Sequence, residues 1–160
     1  MDPVSPFDMK EMELVFPQFA DEDKMTESEI CVKCHGCCNY VTVPIDAPRS
    51  KDRIDNYVWY LLHRNVEIYI DNYKQWFLLF KTPCDKLGTN GFCGIYETRP
   101  QVCRDYSATA CSRVGKDHTH LFKKPDEFLA FLAEKKKAAA SKKQTLPKNK
   151  AVSRKKRKAA

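Results

Sequence analysis

The chain has 160 residues, 42% of them hydrophobic and 31% charged, which suits one globular domain with tails and excludes two full cores. The net charge of +7 is uneven: residues 134–160 hold 12 Lys/Arg against one acid, a net +11, and the other 133 residues carry −4. Basicity is therefore a property of the C-terminal segment, and no apolar run approaches the length of a membrane span.

The first segment, residues 1–30, is acidic, with short apolar patches at Leu14-Val15-Phe16 and Phe19. Ser5-Pro6 could cap a short helix that Pro17 would stop. The N-terminus has neither a basic n-region nor an apolar h-region, so the expectation is a cytoplasmic chain in a reducing compartment. There, clustered cysteines bind metal or do redox chemistry more often than they form disulfides.

Residues 31–133 are assigned to the domain. Tyr40-Val41-Thr42-Val43 reads as a strand ended by Pro44. Ser50 offers an N-cap to a helix reaching about Arg64, with Ile54, Tyr57, Val58, Leu61 and Leu62 at core-facing spacing. Val66-Glu67-Ile68-Tyr69-Ile70 alternates, Asp71-Asn72 turns, and the aromatic run Trp76–Phe80 completes a hairpin. A hairpin is marginal alone, so Val41–Val43 is expected to join it, with the helix on one face.

Pro83 to Cys111 is rich in Gly, Asn and Thr, and metal coordination is the natural substitute for a core there. Thr98-Arg99-Pro100-Gln101 resembles a helix start, which puts Cys103 on a short helix. A last helix begins at Pro125-Asp126-Glu127, with Phe128, Leu129, Phe131 and Leu132 as its apolar stripe. The fold expected is a small metal-stabilised α+β domain with a short antiparallel sheet, two or three helices and cysteine-rich loops. Residues 134–160 form a basic tail, expected to be disordered past the last helix. Its run Arg154-Lys155-Lys156-Arg157-Lys158 could touch nucleic acid or an anionic surface, although no aromatic residues interleave to stack on bases.

Eight cysteines carry the chemistry: Cys31, Cys34, Cys37, Cys38, Cys84, Cys93, Cys103 and Cys111, spaced C-x2-C-x2-C-C-x45-C-x8-C-x9-C-x7-C. Two residues between ligands let a tight turn aim both sulfurs at one ion, and Gly36 relieves such a turn. Adjacent side chains diverge, so Cys37 and Cys38 should not serve one tetrahedral ion as equals: either one is a packing thiol or they feed two centres. Eight sulfurs would satisfy two four-sulfur sites, or one iron–sulfur cluster and one zinc. All-sulfur coordination admits zinc, ferrous iron or a cluster. Arg99 and Arg104, flanking Cys103, could offset thiolate charge. His35, or His118 and His120, could add a ligand, and Tyr96 and Tyr106 could shield the site from solvent.

The string Cys31-x2-Cys34-x2-Cys37-Cys38, then Pro83-Cys84 and Cys93-Gly94-Ile95-Tyr96-Glu97-x-Arg99-Pro100-x2-Cys103-Arg104-x-Tyr106, resembles the YkgJ family of CxxCxxCC proteins. The resemblance covers roughly residues 31–111. It implies a zinc- or iron-chelating domain with Cys31, Cys34, Cys37, Cys38, Cys84, Cys93 and Cys103 as the shared metal positions, Cys111 lying beyond the segment. The chemistry expected is metal held by thiolates for structure, chelation or delivery. Since some members of the family are described as iron–sulfur oxidoreductases and a related domain occurs in protein methylases, an iron–sulfur oxidoreductase or a methyltransferase-like, protein-modifying enzyme is the alternative. A zinc module associated with nucleic acid through its tail is a third. The sequence has no glycine-rich phosphate loop, no H-E-x-x-H helix and no G-x-S-x-G elbow, so an enzyme reading rests on the metal alone, and no protein partner is indicated.

Overall fold

Hydrogen bonding along Val66–Asp71 (β2) and Trp76–Lys81 (β3) builds the expected hairpin, in a computed structural model that describes residues 11–109, 111–114 and 117–144. Tyr40–Ile45 (β1) pairs with the outer side of β3, from Tyr40 opposite Lys81 to Ile45 opposite Trp76. A fourth strand, His118–Phe122 (β4), pairs with the other side of β2, placing Ile68 opposite Phe122. The sheet is thus fully antiparallel in the order β1-β3-β2-β4. Pro44 does not end β1, which continues through Ile45. An edge strand tolerates a proline because its missing N–H can face away from the ladder.

Among the described residues, four α-helices accompany the sheet: Glu27–Cys34 (α1), Lys51–Leu61 (α2), Gln101–Arg104 (α3) and Pro125–Gln144 (α4). The Ser50 side chain caps α2 by accepting from the Arg53 N–H at 3.2 Å. Strand alternation sends Ile68, Ile70, Trp76, Leu78 and Phe122 to one face, where they meet Tyr57 and Leu61 of α2 and Phe128 of α4. Phe128 and Ile68 are fully buried, and Phe128 touches the rings of Tyr57, Trp76 and Phe122. Two residues of the expected stripes point outward. Leu62 is exposed because it sits past the end of α2, and Leu129 lies on the outer side of α4.

The domain is therefore small and α+β, as composition and pattern implied. Helix α4 runs on through residues 134–144, across the border drawn where the basic composition begins. Ser5-Pro6 and Arg154–Lys158 lie outside the described residues. No helix among the described residues is long and apolar enough to cross a membrane.

The opposite face of the sheet is covered by the segment around residues 13–16. Between them lies a cavity of about 220 Å³ lined by Tyr40, Glu67, Tyr69, Lys81 and Asp117, among others. Glu67 and Lys81 form an ion pair of 2.6 Å at its floor, each side chain only 7% exposed.

Candidate metal centre

The cysteine unit occupies the corner where α1 turns into β1. Thr26-x-x-Glu29 starts α1 as a reciprocal capping box: Thr26 Oγ1 accepts from the Glu29 N–H, and the Glu29 carboxylate accepts from the Thr26 N–H at 2.7 Å. Cys31 and Cys34 therefore stand one helical turn apart on one side of α1, not on the tight turn expected from their spacing. The helix stops when His35 enters the left-handed region at φ 36°, its N–H reaching the Cys31 carbonyl at 2.8 Å. Gly36 follows and is buried. A Cβ there would fall 2.6 Å from the Phe16 ring, so glycine is what allows the N-terminal segment to lie on the cysteine corner. A short 3-10 turn, Gly36–Asn39, carries Cys37 and Cys38 directly into β1.

Cys31, Cys34, Cys37 and Cys111 line one small cavity of about 20 Å³, together with Phe16, Tyr40, Tyr106 and Arg113. That volume corresponds to about one water-sized sphere. Cys111, the position beyond the recognised segment, closes the fourth side. Cys38 is not among the lining residues. Its thiol nevertheless does not diverge from Cys37, since the two hydrogen-bond to each other.

Cys84 and Cys93 belong to a separate loop folded back on the same corner. The Cys84 N–H donates to the Cys38 carbonyl at 2.7 Å, Leu87 bridges Cys93, and Gly91 packs against the His35 ring. Cys103 sits on α3 as the helix-start signal implied, and it is exposed like Cys84. All eight cysteines are free thiols. Among the described residues, no three Cys, His, Asp or Glu side chains are already gathered at ion-holding distances.

Electrostatics divide the sulfurs. Burial pushes the Cys31 and Cys34 thiols above the usual range, and neighbouring sulfurs push in the same direction. Cys37 is raised strongly because its thiol is engaged by Cys38 and because it is buried. Cys38 moves the other way, to about 6, held mainly by that bond from Cys37, with the His35 and Arg99 charges assisting. Cys38 is thus the more acidic sulfur of the pair, and Cys37 the less acidic.

Two guanidinium groups face the sulfurs, and only one was anticipated. Arg99 lowers Cys31 and Cys38 while resting on the Tyr96 ring at 4.2 Å. Arg104 instead donates to the backbone carbonyls of Arg99 and Glu97. The second cation is Arg113, whose charge acts on Cys34. Nothing in its local sequence marks it, because the side chains that hold it, Gln18 and Glu22, lie over ninety residues away. Tyr106 lines the cavity, whereas Tyr96 lies under the Arg99 guanidinium. His35 borders the cavity, with Nδ1 3.5 Å from the Val32 carbonyl. His118 pairs with Asp117, and His120 packs on Phe122 and Phe131, so neither lines the cysteine cavity.

The donor set fits zinc or ferrous iron: soft thiols, a one-sphere cavity and adjacent cations to answer the net −2 of four thiolates around a divalent ion. The family model described as "CxxCxxCC: Putative zinc- or iron-chelating domain" matches residues 30–144, most of the chain. No curated protein and no solved structure matches it.

Proposed function

The chain belongs to the CxxCxxCC family, and on that premise we propose that it binds zinc or iron through the thiolates of Cys31, Cys34, Cys37 and Cys111, to stabilise its own cysteine-rich segment and to chelate or deliver the ion. The observation that carries this reading is the convergence of these four cysteines, three from residues 31–37 and one from residue 111, on one small cavity. Such an ion would supply the cohesion that residues 83–111 lack in apolar burial. Arg99 and Arg113 would balance its thiolate charge. Cys38, Cys84, Cys93 and Cys103 remain for a second centre, supported by the Cys84–Cys38 backbone bond and the fold of the 84–94 loop onto that corner.

The test is metal and sulfide content, with an absorption spectrum, on full-length protein purified without oxygen and without added metal. Bound zinc or iron at one or two ions per chain is the expected result. A fully folded preparation with no metal would sink the reading.

A second reading, an iron–sulfur-dependent oxidoreductase or protein-modifying enzyme, is favoured by one observation. The 220 Å³ cavity shares Phe16, Tyr40 and Ser112 with the cysteine cavity, which leaves room for a substrate beside the metal. Acid-labile sulfide and visible charge-transfer absorption would support it, and a colourless zinc protein would exclude it.

A further inference from the structure

We propose that Arg113 is a positioning residue that latches residues 16–24 over the cysteine cavity, so that loading the site with metal closes this segment and opening the segment releases the ion. The inference rests on the metal-binding reading above.

Arg113 is one of the most deeply buried charged side chains of the molecule, 3% exposed. One guanidinium nitrogen bonds the Glu22 carboxylate and lies 3.4 Å from Gln18 Oε1. Another donates to the Ala108 carbonyl at 3.0 Å, and the Arg113 carbonyl accepts from Gln18 Nε2 at 2.8 Å. One side of the residue is thus committed to the N-terminal segment. The other side borders the cysteine cavity beside Cys34 and Cys111, and Arg113 Nε, buried, has no hydrogen-bond partner among the described residues. A buried N–H left unpaired is costly, and a thiolate is an acceptor that would satisfy it with a charge-assisted bond.

The segment is seated at further points. The Phe16 ring fills the space a Cβ on Gly36 would need and packs against Tyr40 at 6.2 Å, and Lys33 stands over the Phe19 ring. These contacts are few, so the latch decides the balance. With metal bound, the cavity carries fixed negative charge that both holds Arg113 and fills its open donor. With metal gone, Glu22 is the counter-charge that stays in contact with the guanidinium. Segment and metal are then linked through one side chain, and linkage acts equally in both directions.

The experiment uses the full chain with zinc as the probe, then cobalt for spectroscopy. Hydrogen exchange of residues 16–24 should slow by roughly tenfold on zinc loading, and Arg113→Ala should abolish that dependence while speeding chelator-driven release by a similar factor. Arg113→Lys should recover part of the release rate, through its charge, without recovering the protection. If Arg113→Ala does not fold, Gln18→Ala combined with Glu22→Gln tests the latch from its outer end and should also speed release. Loss of the Nε bond to sulfur should shift the cobalt–thiolate charge-transfer band in Arg113→Lys but not in the Gln18/Glu22 variant. Identical exchange of residues 16–24 with and without zinc, in protein that binds zinc, would overturn the latch and leave the metal site standing. Wild-type protein that takes up neither zinc nor iron would remove both.

Discussion

Replacing Cys111 by Ser, alongside Cys84 by Ser, separates the sulfurs that share the cavity from one that does not. Cys111 lines the cavity with Cys31, Cys34 and Cys37, whereas Cys84 is exposed and outside it. Four-ligand zinc sites in small domains are worth about 10–16 kcal/mol at neutral pH. An even share per ligand is about 2.5–4 kcal/mol, or a loss of roughly 10²–10³ in affinity. Cys111→Ser should lose that much at the tighter site, and Cys84→Ser should stay within about threefold there. Competition against a chromophoric chelator on anaerobic protein reads both values directly. Equal losses in the two variants, or the larger loss in Cys84→Ser, would refute the assignment of the cavity as the primary centre.

Zinc uptake near pH 7 should release at least the three protons of Cys31, Cys34 and Cys37, whose thiols sit above their ordinary range in the free protein. Affinity should then fall as pH falls, by about a thousandfold per unit. Calorimetry in buffers of different ionisation enthalpy measures the count, and two protons or fewer contradict it. In metal-free protein Cys38 should alkylate with an apparent pKa near 6, and Cys37→Ala should move that midpoint upward by removing the donor. Phe128→Ala should cost about 3–5 kcal/mol by leaving a void among Tyr57, Trp76 and Phe122. Urea unfolding would show it, and a cost under about 1 kcal/mol would mean the helix-covered face is not the core. Lys81→Met should cost about 3–5 kcal/mol by stranding buried Glu67, and adding Glu67→Leu should recover most of it. A double variant no better than the single one would show that the pair itself stabilises the fold.

Much of the frame was legible because it is local. The Ser50 cap, the β2–β3 hairpin and the Phe128 stripe are written within a few turns of chain. Strand β4 has no such local signal, because His118-Thr119-His120 shows little apolar alternation and is recruited by pairing with β2. Helix α1 was passed over although Thr26-x-x-Glu29 is a capping-box signal. The acidic composition around it reads as loose segment, and burial of Ile30 and Cys34 is what anchors the helix.

For the site, the sequence alone determined the chemistry: eight thiols in a CxxCxxCC pattern define soft-metal donors wherever the chain folds them. It could not say which sulfurs share a cavity. Cys37 and Cys38 are neighbours in the chain, yet only Cys37 lines the cavity that Cys111 completes from over seventy residues away. Nor could it say which cation answers them, since Arg104 spends its donors on nearby carbonyls while Arg113 is aimed by the distant Gln18 and Glu22. Donor type is a property of single side chains, whereas ligand grouping and counter-charge depend on distances across the fold, which only tertiary packing sets.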